Sequence, residues 1–241
     1  MTKLSVNINK IATLRNARGG TRPEVLKAAL AAENFGAQGI TVHPRPDERH
    51  ITQQDVRDLA AHVKTEFNIE GYPTVDFLAL VKEVKPAQVT LVPDSPEVLT
   101  SNQGWDCIKN QPFLTDICKQ IHEWGGRVSV FLNPEINQLE AAKSCGADRI
   151  ELYTESYAVN FPRSPIEAVK DYKATAIEAN KIGLGINAGH DLDLNNLKYF
   201  AQEIPDLLEV SIGHALISDA LYYGLNNAIQ MYLRQLSAAK D

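Results

Sequence analysis

Gly36-Ala37-Gln38-Gly39-Ile40-Thr41-Val42-His43 and Gly146-Ala147-Asp148-Arg149-Ile150-Glu151-Leu152-Tyr153 are two helix-to-strand junctions with the same pattern. Such a repeat is what a stack of like units leaves in a sequence. Working outward, the same unit, a short β-branched run followed by a longer helical pattern, recurs along the chain. Strands are expected at 4–8, 39–43, 67–70, 88–92, 127–133, 149–153, 183–187 and 208–213. Helical periodicity separates them, for example at 22–35, 53–64, 75–84, 135–144, 166–181 and one long stretch over 214–236. Thr21 and Glu24 have capping-box spacing at the first of these helices, and Gly36 is expected to close it in a left-handed conformation. Strands alternating with helices imply a parallel sheet with right-handed crossovers. Eight such units in 241 residues suit a closed (β/α)8 TIM barrel better than an open doubly wound sheet. No Pro/Ser-rich linker interrupts the chain, so a single domain over 1–241 is expected. The stretch 94–112 reads as an enlarged loop after strand 4.

Composition narrows the function classes. The chain has 24 Lys+Arg against 30 Asp+Glu, a net charge of −6. That balance argues against nonspecific nucleic-acid binding, which draws its affinity from basic groups on phosphates. No apolar run approaches the roughly 18 residues of a membrane span. The N-terminus lacks a signal-peptide pattern, so a cytoplasmic location is expected. Three scattered cysteines, Cys107, Cys118 and Cys145, are too few for a disulfide framework or a zinc ribbon, and read as free thiols.

The strands mostly alternate, although parallel strands buried on both faces usually read as continuous apolar runs. One face carries Val6, Ile8, Ile40, Val42, Ile69, Leu91, Val128, Val130, Ile150, Leu152, Ile186, Val210 and Ile212. The other carries Ser5, Asn7, Thr41, His43, Asn68, Glu70, Thr90, Ser129, Glu151, Asn187, Glu209 and Ser211. In a barrel the apolar set faces the helices and the polar set lines the interior. Such an interior is either a self-satisfied polar core or water-filled lumen, or a wet active site reaching into the barrel mouth. The second accounts better for so many polar groups, each costly to bury without a partner.

Catalytic residues of this fold sit where strands end. Those positions hold Asn7, His43, Glu70, Val92-Pro93, Asn133, Glu151, His190 and His214. Neither His-x-His nor His-Glu-x-x-His occurs, so no metal site is expected. Lys10 is the one candidate for a Schiff-base amine near a strand end, but it reads more simply as a surface or phosphate-contacting cation. What remains is proton transfer by His43, Glu70 and His190 beside a buried Glu151. Arg15, Arg18 and Arg22 around Gly19-Gly20, and Arg45 and Arg49 in the loop carrying His50, can form forks on phosphate oxygens. Asn187-Ala188-Gly189-His190-Asp191 and Ile212-Gly213-His214-Ala215 place glycines in the usual phosphate position of the fold. Two positive loops and a glycine pair point to two phosphate-bearing ligands.

Several of these motifs are long. Val6-Asn7-Ile8-Asn9-Lys10-Ile11-Ala12-Thr13-Leu14-Arg15-Asn16-Ala17-Arg18-Gly19, Gly39-Ile40-Thr41-Val42-His43 with Arg45 and Arg49-His50-Ile51, Glu70, Leu91-Val92-Pro93, Asn187-Ala188-Gly189-His190 and Ile212-Gly213-His214-Ala215 together resemble the pyridoxine 5′-phosphate synthase family. The resemblance implies a (β/α)8 barrel assembled as a homo-octamer. It also implies condensation of 3-amino-2-oxopropyl phosphate with 1-deoxy-D-xylulose 5-phosphate, releasing phosphate and water without metal or organic cofactor. By position, it makes His43 and Glu70 proton acceptors, His190 a proton donor and Glu151 a stabiliser of the transition state. Asn7, Arg18, Asp191, Gly213 and His214 would hold the amino-oxopropyl phosphate. Asn9, Lys10, Arg45, His50 and Thr100 would hold the deoxyxylulose phosphate. The chain departs from the family's pattern at Asn9-Lys10, where Asp-His is common, at Asp191, a frequent glycine, and at Tyr153, a frequent histidine. Two other classes stand beside this one: a metal-independent sugar-phosphate isomerase or aldolase with a single phosphate site, and a non-catalytic phosphate-ligand sensor.

Overall fold

A computed structural model describes residues 1–93 and 103–239. Eight parallel strands close on themselves: β1 (Lys3–Asn7), β2 (Gly39–Val42), β3 (Glu66–Gly71), β4 (Gln88–Leu91), β5 (Arg127–Leu132), β6 (Arg149–Tyr153), β7 (Gly185–Gly189) and β8 (Leu207–Ile212). Strand β1 pairs with both β2 and β8, which completes the ring. Among the described residues the helices are α1 (Asn9–Asn16), α2 (Val25–Asn34), α3 (Gln53–His62), α4 (Val75–Val84), α5 (Gln111–Glu123), α6 (Leu139–Ser144), α7 (Glu155–Asn160), α8 (Pro165–Lys181), α9 (Leu197–Glu203), α10 (His214–Tyr223) and α11 (Leu225–Ser237). No helix among them is long and apolar enough to cross a membrane. The expected (β/α)8 TIM barrel is the fold.

The outward alternation set forms the core. Leu4, Val6, Ile40, Val42, Ile69, Leu91, Val130, Ile150, Ile186 and Ile212 are all fully buried against the helices. The inward polar set divides by depth. Near the strand N-termini Glu66 pairs with Arg127, Arg149 and Lys3, and Arg127 also donates to Gln88 at 3.0 and 2.8 Å. Above that layer Ser5 and Thr41 hydroxyls meet at 2.7 Å, Thr41 accepts from Asn68 at 3.4 Å, and Thr90 donates to Asn68 at 3.1 Å. The lower barrel is therefore a largely hydrogen-bonded polar core, and the C-terminal mouth opens into a cavity. Both sequence-level alternatives are present, one above the other.

Several local expectations are corrected. The Thr21 capping box does not form: Glu24 itself is extended (φ −72°, ψ 115°) and is the N-cap of α2, so it is not three residues inside the helix. A capping box does form at α3, between Thr52 and Asp55. The stretch 214–236 is two helices, because Gly224 at φ 79°, ψ 149° leaves helical space between α10 and α11. The stretch 135–144 begins with a 3-10 turn, Ile136–Gln138, before α6. Strand β7 starts two residues later than expected, since Gly183 at φ 72° is still turning the chain after α8. That shift sets His190 directly after the strand. Of the expected 94–112 loop, 94–102, and Thr100 with it, lie outside the described residues. Its far end is ordered by Trp105, whose indole N–H donates to the Leu91 carbonyl at 3.0 Å, and Gln111-Pro112 already begin α5. Gly36 is left-handed as expected, at φ 98°. Cys107, Cys118 and Cys145 are free and buried.

Candidate active site

The ends of β1, β2 and β3 are held together by Asn7, which ends the first strand, and Asn9, which opens α1. Asn7 donates from Nδ2 to Glu70 Oε2 at 3.3 Å and accepts the Asn9 backbone N–H at 3.1 Å. Asn9 in turn accepts the His43 backbone N–H at 2.9 Å. An Asp at this position could accept that bond equally well, so the Asn9 departure preserves the geometry that sets His43. Arg15, expected in a positive loop after strand 1, lies in helix α1, which corrects its role, while Arg18 and Arg22 follow that helix. The Arg15 guanidinium clamps Asp55 at 2.5 and 2.9 Å and, with Asn16, donates to the His50 carbonyl at 3.1 and 2.9 Å. Arg15 thus ties α1 to α3 and fixes the His50 loop. Arg18 and Arg22 are exposed and lie outside the lining of the cavity.

The barrel mouth forms a cavity of about 800 Å³. Asn7, Asn9, Lys10, His43, Arg45, His50, Glu70, Glu151, His190, Asp191, Gly213 and His214 all line it, drawn from strand ends spread around the ring. Sequence reasoning overlooked Phe131 and Thr13, which also line it. Phe131 follows Ser129 by two and so points inward by strand parity. Thr13 follows Lys10 by three and shares its face once α1 is a helix. Among the described residues no group of three or more His, Cys, Asp or Glu is arranged to hold a metal ion.

His43 and His190 are driven in opposite directions. Burial first, then the Arg45 charge and the nearby His50, push His43 down to about 3. The His43 and His50 rings stand 6.2 Å apart, edge to face. Burial and Arg45 likewise bring His50 down to about 4, and Ile51 N–H donates to its bare Nδ1 at 2.9 Å. Both imidazoles are therefore neutral near pH 7. His190 is raised: its Nδ1–H donates to Asp191 Oδ2 at 2.9 Å, and the Asp191 charge adds to that against the effect of burial. Burial and the adjacent Glu70 hold Glu151 well above the usual carboxylate range. Groups pushed apart in this way divide into bases and acids: neutral His43 can accept a proton, and His190 can give one.

His190 sits at φ 78°, a region a histidine rarely adopts. Such a conformation costs of order 1 kcal/mol and persists only where surrounding bonds dictate it. Here His190 N–H donates to the Ser211 carbonyl at 3.3 Å, Thr154 Oγ1 donates to the Gly189 carbonyl, and Asp191 N–H donates to Thr154 Oγ1 at 3.1 Å. Gly189 permits this close seam, since a Cβ there would lie 2.5 Å from the Ser211 carbonyl oxygen and 3.0 Å from Glu151 Oε1. Gly213 caps α10 against Asn7, 3.1 Å from where its own Cβ would be. Gly213, His214 and Ala215, at the start of α10, thereby line the cavity beside Asn7.

Comparison with known proteins agrees with this architecture. The sequence model of the family described as pyridoxal phosphate biosynthesis protein PdxJ matches residues 4–238. A Cytophaga hutchinsonii protein named pyridoxine 5′-phosphate synthase is 61% identical over 236 residues, covering 98% of this chain and 99% of its own. A Porphyromonas gingivalis protein of the same name is 56% identical over 237 residues, covering 98% and 100%. Among solved structures, KGPDC from Streptococcus mutans superposes with a TM-score of 0.68 over the whole of both chains at 11% identity, a likeness of fold alone.

Proposed function

This chain belongs to the pyridoxal phosphate biosynthesis protein PdxJ family, and from that premise we propose how its barrel mouth forms the pyridine ring of pyridoxine 5′-phosphate. The enzyme condenses 3-amino-2-oxopropyl phosphate with 1-deoxy-D-xylulose 5-phosphate, releasing phosphate and water, with no metal or organic cofactor. One observation carries the reading: a neutral His43 and a proton-rich His190 face one 800 Å³ cavity with Glu70 and Glu151 on the strand ends between them.

Imine formation, dehydration, phosphate elimination and ring closure each move protons at neighbouring carbons. His43 and Glu70 accept protons, His190 donates them, and protonated Glu151 stabilises charge that builds in the transition state. General acid–base help of this kind typically contributes about 10²–10⁴-fold per step. Asn9, Lys10, Arg45, His50 and Thr100 hold the deoxyxylulose phosphate. Asn7, Gly213 and His214 hold the amino-oxopropyl phosphate, where the N-terminus of α10 favours an anion. Fixing both phosphates orients the reacting carbons and lowers the entropic part of the barrier. The enzyme works in the cytoplasm as a homo-octamer, and the exposed Leu221, Tyr222 and Tyr223 at the end of α10 supply apolar surface that association would cover.

Mixing the purified protein with both substrates tests the reading. Pyridoxine phosphate absorbance and free phosphate should appear together, undiminished by chelator. Turnover of either substrate alone would instead mark an isomerase or aldolase, and binding without turnover a sensor.

A further inference from the structure

We propose that Asp191 is the positioning residue of His190, holding its ring as the charged proton donor, rather than a ligand of substrate phosphate. The inference rests on the reading of His190 as the donor and deepens it.

The Asp191 backbone is fixed before its side chain acts. Its N–H is taken by Thr154 Oγ1 at 3.1 Å and the Gly189 carbonyl at 3.2 Å, and its own carbonyl accepts from Asn196 Nδ2 at 3.2 Å. Thr154 and Asn196 are both buried. The amide that a phosphate would need is thus already engaged, and a carboxylate beside an incoming phosphate repels it. The carboxylate instead meets His190 Nδ1 at 2.9 Å. Tyr153 braces the other side, its ring edge-on to the imidazole with centroids 5.7 Å apart and its hydroxyl donating to Glu155 at 2.8 Å.

The charged and titratable groups facing His190 come from four elements. Asp191 follows β7, Glu151 and Tyr153 are on β6, Glu155 is on α7, and His43 follows β2. Glu151 is held towards its neutral form by burial and Glu70, and His43 is neutral, so Asp191 is the carboxylate in direct contact with the ring. With Nδ1–H committed to Asp191, Nε2 is the nitrogen left to act. In the step itself Nε2–H passes its proton to the departing oxygen. The imidazolium becomes neutral imidazole, still donating Nδ1–H to Asp191. Solvent at the mouth reprotonates Nε2, since the side chain is 43% exposed.

Steady-state kinetics of Asp191→Asn and Asp191→Ala between pH 6 and 9, with both substrates varied, test the assignment. An adjacent opposite charge keeps a group charged to higher pH, so its removal moves the alkaline limb of kcat to lower pH, by roughly one unit. At pH 8.5 kcat should fall about tenfold, and at pH 6 by less than about twofold, since one unit is a tenfold change in the protonated fraction beyond the limb. KM for the amino-oxopropyl phosphate should stay level or drop. An NMR titration of the His190 ring should move by the same amount. A rise in KM at every pH with the limb unmoved would make Asp191 a substrate contact and overturn the proposal. A uniform loss of kcat across pH would overturn it equally, leaving only a structural role. His190→Gln separates the underlying reading: if that variant keeps full turnover, His190 is not the donor and both fall. If it is inactive while the Asp191 variants leave the limb in place, only the positioning role fails.

Discussion

Replacing Gly189 by alanine tests whether the β7–β8 seam sets the acid side of the site. A Cβ at this position would lie 2.5 Å from the Ser211 carbonyl oxygen, about 0.9 Å inside the 3.4 Å of ordinary contact, and 3.0 Å from Glu151 Oε1. The first neighbour is backbone in a paired strand, with Gly189 opposite Ser211, and cannot rotate away. The strands must part, or Gly189 must withdraw, by most of that overlap. Overpacking of this kind typically costs about 1–3 kcal/mol, which in a barrel of this size lowers Tm by roughly 2–4 °C per kcal/mol. The same movement stretches the 3.3 Å bond from His190 N–H to Ser211 and displaces the Thr154 contact that shapes the loop. A displacement near 1 Å in a catalytic group can lower kcat about 10²-fold. Differential scanning calorimetry and steady-state assay of Gly189→Ala should therefore show a modest fall in Tm and a large fall in kcat. Wild-type kcat together with wild-type Tm would refute the argument that this close seam positions His190 and Glu151.

Other outcomes follow from single contacts. Glu70→Gln keeps the shape and a group that can still meet Asn7, but removes a base; kcat should fall by roughly two orders of magnitude with both KM values little changed, as read by initial rates. Arg45→Ala should raise KM for the deoxyxylulose phosphate selectively, and a selective rise for the amino substrate would reverse the assignment of the two phosphate positions. Lys10→Met should weaken the same substrate and make its binding less sensitive to salt without abolishing turnover at saturation, because a flexible ammonium acts here as a point charge. Arg15→Ala removes the partner of a carboxylate that is mostly buried, so stability in urea should drop by about 1–3 kcal/mol. Asp55 is lowered because the Arg15 and Thr52 bonds outweigh burial, which acts the other way. A lowered carboxylate stabilises the fold above its unfolded value near 4 and loses that contribution as pH falls through its folded value. The Arg15→Ala deficit should accordingly be full at pH 6 and shrink at acid pH, as followed by urea melts.

The alternation of the strands and the recurrence of the glycine-led junction were sufficient to read the barrel from the chain alone. Periodicity of two determines which side chain faces inward, whatever lies around the strand, so Glu70, Glu151 and Ser211 could be placed in the interior before any contact was known. Strand-end positions singled out His43 and His190 for proton transfer, and the family resemblance added which accepts and which donates. Helix boundaries were less legible, because an extended Glu24 and a non-helical Gly224 are set by the chain's need to return over the barrel, which local propensity does not encode. The role of Arg15 was likewise hidden: beside Arg18 it reads as an anion contact, and only α1 packing near α3 gives it Asp55. What makes one of two identical imidazoles an acid and the other a base lies in tertiary structure. His43 shares its burial with Arg45 and His190 meets the Asp191 carboxylate, and electrostatic effects depend on distance through space and on lost solvent rather than on order along the chain.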